Sequence, residues 1–213
     1  SLLGLTCVLS VADARAQQVD GPPAYAWIEG EEPATKNYDL GLAGWGQPEY
    51  LSGGAWGNIG ENEAQQVPDE GLRLSYEFEV PESGSYEVWG RLGYDYLWYP
   101  FHWRIDDGDW TTTRNDNTPT LGHVEMMRWN TLVWTRMGHA DLTPGKHTLH
   151  IRLDKPEPNA DGPRFLWAAD AFCIYKGDFR PNGQHPPGAD WQTERDEEAA
   201  AQGLVAGINA VHH

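Results

Sequence analysis

The sequence predicts an all-β domain built as an antiparallel β-sandwich. Three observations carry this: short runs alternate apolar with polar residues, turn signals separate the runs, and no stretch from Tyr25 to Tyr175 keeps a helical period. Without helical crossovers to join parallel strands, the pairs are expected to be antiparallel. The clearest run is 72–80, where Leu72, Leu74, Tyr76, Phe78 and Val80 alternate with Arg73, Ser75, Glu77 and Glu79. Pro81-Glu82-Ser83-Gly84 then turns the chain, and Tyr86, Val88, Gly90 and Leu92 alternate again. Phe101, Trp103 and Ile105 form a further strand, closed by the hairpin signal Asp106-Asp107-Gly108-Asp109. Thr143-Pro144-Gly145-Lys146 leads into a strand with Leu149, Ile151 and Leu153 facing inward, and a last apolar strand runs from Arg164 to Tyr175. Roughly seven to nine such strands make a sandwich.

The two ends differ from this body. Residues 1–16 read as the remnant of a secretory signal peptide: Leu2 to Leu9 is a short apolar run, and Ala14-Arg15-Ala16 offers a small-residue cleavage site. The run is too short to span a bilayer, so no membrane partner is expected. Residues 17–24 are a polar leader and 25–176 the sandwich domain. Residues 177–190, with Pro181, Gly183, Pro186, Pro187 and Gly188, read as a linker. Asp190 then suits the cap of a short helix from Trp191 to Ala201, so 191–213 begins a further domain or a helical tail. Once the signal is removed, Cys173 is the only cysteine, and it sits in an apolar strand as a small buried hydrophobe.

The charge is −17, from 32 acidic and 15 basic residues. That excludes the overall basic surface on which nucleic-acid binding depends, and it suits an extracellular or periplasmic location. The chain also carries 11 Trp and 9 Tyr. A core needs only a few indoles, and the surplus suits a ligand with flat apolar faces, such as a sugar.

The order of short motifs resembles a known group. Ile28-Glu29-Gly30-Glu31 is followed by Leu51-Ser52-Gly53-Gly54-Ala55-Trp56, then by the hairpin from Phe78 to Val88, then by Leu142-Thr143-Pro144-Gly145-Lys146-His147-Thr148-Leu149, and finally by Asp170-Ala171-Phe172. Over about residues 25–176 this is similar to the calcium-containing β-jelly-roll carbohydrate-binding modules of families six and thirty-five, of the galactose-binding-like fold. The resemblance implies a structural calcium held by Glu29, Glu31 and Asp170. It also implies a sugar cleft among the loops at one end, with Trp56 and Trp129 as facing rings and Tyr94, Trp98 and Tyr99 close by. One departure stands out: the family commonly has an Asn two residues before the last-strand Asp, and here that position is Ala168.

The expected function is that of a secreted, non-catalytic module that binds a polysaccharide or oligosaccharide and serves a catalytic domain of the same chain. Two rivals stay open. One is a structural sandwich that packs against a catalytic domain without binding sugar. The other is a catalytic sandwich, a lyase or glycoside hydrolase. The third reading has little in the sequence to support it: no nucleophile elbow, phosphate loop or zinc spacing is present.

Overall fold

The computed structural model describes residues 23–43, 47–60, 66–114, 118–127, 130–155 and 165–189. The proposed signal remnant, the helix after Asp190, the further domain at 191–213, and Trp129 lie outside the described residues. Within them the alternation read from the sequence becomes eleven strands. These are β1 (Tyr25–Glu29), β2 (Thr35–Lys36), β3 (Gly57–Ile59), β4 (Leu72–Val80), β5 (Gly84–Gly93), β6 (Phe101–Ile105), β7 (Thr111–Thr113), β8 (Thr120–Met127), β9 (Asn130–Leu142), β10 (Gly145–Leu153) and β11 (Trp167–Lys176).

They form two sheets. The first has the order β1-β11-β5-β9-β8, with β3 also paired to β11, and the second has the order β2-β4-β10-β6-β7. Every pairing is antiparallel. The protein is an all-β antiparallel sandwich, as its alternation predicts. Leu72, Leu74, Tyr76 and Val80 of β4 meet Val88 and Leu92 of β5, Leu149 and Ile151 of β10, and Phe172 and Ile174 of β11 in one core between the sheets.

The first sheet is covered on its other face as well. Trp89, Trp134, Ala171, Cys173 and Phe179 form a second apolar layer there, with Tyr25, Trp27 and Tyr175 against it. Cys173 is free and buried, and burial pushes its thiol well above the ordinary value. The segment expected to be a linker supplies part of this layer. Phe179 lies 5.6 Å from Trp89, 5.1 Å from Trp134 and 5.3 Å from Tyr175, ring centre to ring centre. Its N–H donates to Glu87 (2.8 Å), and the Trp134 indole donates to the Gly183 carbonyl (2.7 Å). Residues 177–189 are therefore seated on the domain. Proline and glycine content marked an irregular segment, but a single phenylalanine decides where it lies.

The indole surplus is mostly spent on packing. Trp56, Trp89, Trp103, Trp134 and Trp167 are buried, and among the described residues only Trp98 is a largely exposed indole, at 70%.

At one end of the sandwich, His147 ties two turns together. Its Nδ1 lies 2.7 Å from Asp106 Oδ2 and its Nε2 lies 2.7 Å from the Thr143 carbonyl. Both partners are acceptors, so the ring suits them best as a doubly protonated imidazolium. Burial lowers its pKa, but the Asp106 hydrogen bond and the Thr143 carbonyl outweigh burial and raise it. A raised folded-state value means that this contribution to stability is complete below about 6.5, the unfolded value. It is lost as pH rises through the folded value. An NMR titration is expected to place His147 above 6.5, and Asp106→Asn is expected to bring it down. A parent His147 titrating below 6.5 would contradict the imidazolium bridge.

Candidate functional site

Three local features bring the acidic residues together. Gly30 lets β1 run against β11: a side chain there would collide with the Ala169 carbonyl oxygen. Gly53 and Gly54 take φ of 60° and 78°, a left-handed turn that favours glycine and carries Ser52 in beneath it. On β11 the pairing with β5 slips between Ala169 and Ala171, which leaves Asp170 as the extra residue of a bulge. A bulge re-aims a side chain. Here it points the carboxylate of Asp170 at the Ser52 turn and at Arg91 of β5.

Asp170 is fully buried and both of its oxygens are taken. Oδ1 accepts the Ser52 N–H at 2.9 Å, and Oδ2 accepts from Arg91 Nη1 at 2.5 Å. Arg91, itself 1% exposed on its side chain, also donates to the Tyr50 carbonyl (2.7 Å). Burial raises Asp170 to about 7 against the pull of Arg91 and Ser52. Glu29 Oε1 accepts from the Trp27 indole (3.0 Å) and the Ser52 hydroxyl (2.9 Å). Glu31 lies past the end of β1, in the turn, rather than on the strand with Glu29. Burial and the charges of Glu29, Asp170 and Glu32 raise its pKa to about 7, although a backbone hydrogen bond opposes the rise.

The three carboxylates thus sense one another, but they do not form the expected three-ligand cage. Among the described residues no group of three His, Cys, Asp or Glu side chains is placed to hold a metal. Ser52 and Arg91 occupy the two oxygens of Asp170 instead. What remains open are Glu29 Oε2 and Glu31 Oε2, both buried and without a hydrogen-bond partner. Buried anionic oxygens without partners are costly, and as hard oxygen donors the two suit calcium chemically.

The predicted sugar-binding rings separate in the structure. The loops that carry Trp56 and Tyr94–Trp98 do meet: the Trp56 and Tyr96 rings are 5.7 Å apart, nearly edge to face. Trp56, however, is fully buried with Leu51, Tyr96, Met126, Leu132 and Ala168, and its indole donates to the Ala43 carbonyl (2.7 Å). The expectation of Trp56 as a ring facing the sugar is corrected, because it has no free face to offer. Ala168 belongs to the same cluster, so nothing polar stands where the family's Asn would. Tyr94–Trp98 forms a short 3-10 turn that buries Tyr96 and Leu97 and leaves Trp98 outside. Tyr94 and Tyr99 are half-buried. Asp95 accepts the Thr131 N–H (3.1 Å), and the Tyr96 hydroxyl donates to Asn130 (3.1 Å), which ties the turn to the start of β9. Sequence reasoning missed Arg91 and Ser52. A lone arginine between Gly90 and Leu92 in an apolar strand was the signal that a buried acid awaited it.

The fold and this end of the molecule define an antiparallel β-sandwich with an acidic knot at the first strand and an exposed indole on a neighbouring loop. No family model matches the sequence, and no curated protein does. Among solved structures the chain is similar to a cycloisomaltooligosaccharide glucanotransferase of Paenibacillus sp. complexed with cycloisomaltoheptaose, at 19% identity and a TM-score of 0.44; the match covers 73% of this chain and 18% of that one. It is similar to the CBM35 of Cellvibrio japonicus Abf62, at 11% identity and a TM-score of 0.45, over 73% of this chain and 96% of that one. It is also similar to the carbohydrate-binding module CBM6cm-2 of Cellvibrio mixtus lichenase 5A in complex with cellotriose, at 17% identity and a TM-score of 0.40, over 71% and 97%. The chain thus spans less than a fifth of the glucanotransferase and almost the whole of the two isolated modules.

Proposed function

We propose that this domain is a secreted, non-catalytic carbohydrate-binding module serving a catalytic domain of the same chain. The observation that carries the reading is Trp98, an indole 70% exposed on a turn whose other side chains anchor it. A ring held out in this way offers an apolar face to a sugar, with Tyr94 at the start of the same turn and Tyr99 next in the chain. The motif order described above supports the same reading. A non-catalytic role is supported by Asp170, which is shut against Arg91 and cannot reach a substrate. Trp98→Ala is expected to weaken binding to a soluble polysaccharide by about 1–3 kcal/mol, the order of one buried aromatic face. Its melting temperature should hardly change, since an exposed ring contributes little to folding. Affinity electrophoresis against β-glucan, mannan and xylan measures the first effect. Unchanged retardation of the variant would refute the site.

The same reading includes a structural calcium at the acidic knot, held by Glu29 Oε2 and Glu31 Oε2 with nearby backbone carbonyls, and Asp170 oriented behind them by Arg91. Its role would be to join β1 to the Ser52-Gly53-Gly54 turn. A cation bound only by the folded state stabilises by mass action, about 2.7 kcal/mol at a hundredfold excess over its Kd. Chelator is expected to lower the melting temperature of the parent and to leave Glu31→Gln unmoved. Identical melts of the parent with chelator and with added calcium would refute the metal.

A structural sandwich without ligand is the second reading, favoured by the burial of Trp56 and by Ala168. A chain that binds none of the three polysaccharides would support it.

A further inference from the structure

The second sheet turns a cluster of cations away from the core. The alternation that sends Leu72, Leu149 and Phe101 inward leaves Arg73 on β4, His150 and Arg152 on β10, and His102 and Arg104 on β6 facing outward. Their register sets them directly opposite one another: Arg73 faces Arg152, Arg152 faces His102, and His150 faces Arg104. Like charges in such pairs are destabilising. Asp154 is the nearby counter-charge, 3.1 Å from Arg73, 3.3 Å from Arg152 and 3.5 Å from His102. Arg104 has no carboxylate partner among the described residues, and its Nε is buried without a hydrogen bond. Both Arg104 and Arg152 place their guanidinium carbons 4.7 Å from the centre of the half-buried Trp110 ring. Burial and the neighbouring arginines together hold the two imidazoles below their ordinary pKa. In a chain of net charge −17 this is a concentrated positive face built around an aromatic ring.

We propose that this face binds an anionic glycan whose acid groups pair with the guanidinium forks of Arg104 and Arg152, the two cations that stack on Trp110. Planar guanidinium groups suit carboxylate and sulfate oxygens. A glycan with a charge on each sugar matches a patch of three arginines, and single-stranded DNA is the competing polyanion that the test separates from it. The inference rests on the reading of the domain as a carbohydrate binder and places this ligand on the sheet face rather than on the loop of Trp98.

Affinity electrophoresis of the whole chain tests it in gels containing polygalacturonate, dextran sulfate or neutral β-glucan, with single-stranded DNA as a competitor. Retardation is expected in polygalacturonate for a carboxylate ligand or in dextran sulfate for a sulfate ligand. It should be at least tenfold weaker in Arg104→Gln and in Arg152→Gln and unchanged in Trp98→Ala. Variants that bind as well as the parent, loss of the response in Trp98→Ala, or full displacement by DNA would overturn it. Retardation by β-glucan alone would overturn this inference and leave the proposed function standing, whereas no response to any glycan would remove both. If either variant melts early, the parent supplies a second readout: bound anion should raise the NMR pKa of His150, and a value unmoved by saturating glycan would overturn the site.

Discussion

Asp170→Ala is expected to cost about 3–5 kcal/mol of folding stability, the range for removing one partner of a buried ion pair. The reason is what remains. Arg91 is as buried as its partner, and with Asp170 gone it keeps the Tyr50 carbonyl, which cannot neutralise a cation. The Ser52 N–H loses its acceptor in the same step. At about 2–4 °C per kcal/mol for a domain of this size, the melting temperature should fall by roughly 10 °C. The pair is a different quantity from its halves. Replacing Arg91 and Asp170 together by leucine removes both charges, so the double variant should be less destabilised than the sum of the two single ones. Urea unfolding of the parent, Asp170→Leu, Arg91→Leu and the double leucine variant measures this coupling. A loss below about 1 kcal/mol for Asp170→Ala, or strict additivity, would mean that the pair does not hold the bulge of β11 to β5.

Much of the sandwich was legible because period-two alternation is a local property. The run 72–80 became β4 residue for residue, and Leu149, Ile151 and Leu153 face the core as their spacing requires. Legibility fails where long-range packing decides. Trp56 follows a glycine pair, which locally means an exposed loop; Tyr96, Leu132 and Ala168, from three distant elements, bury it. Glu29 and Glu31 have the spacing of one strand face, but the strand ends between them. Gly30 still donates its N–H to the Asp170 carbonyl, and Glu31 has already entered the turn. Arg91 and Asp170 are 79 residues apart, so neither names the other, although each is a charge inside an apolar strand that must find a partner. The exposure of Trp98 was readable, since aromatic side chains crowded into one turn cannot all be buried.

The C-terminal boundary of the domain has its own test. Phe179→Ala is expected to destabilise the protein by about 3–5 kcal/mol, the usual cost of emptying a buried phenylalanine site. Phe179 is 5% exposed, and its ring touches Trp89, Trp134 and Tyr175. Removing it opens the outer layer of the first sheet above Cys173 and Ala171. Two polar anchors depend on the same seating. The Phe179 N–H donates to Glu87, which also accepts from the Trp89 indole at 2.9 Å and pairs with Arg136 at 2.7 Å. Burial alone would raise the pKa of Glu87, but these donors and the Arg136 charge overcome it and lower the value. A chain stopped after Lys176 should therefore lose at least as much stability as Phe179→Ala, and its Cys173 should become reactive to thiol reagents under native conditions. A chain ending at Ala189 should keep the thiol protected. If the shorter chain melts with the longer one and its thiol stays silent, residues 177–189 are a linker as their composition suggests, and the aromatic layer closes without them.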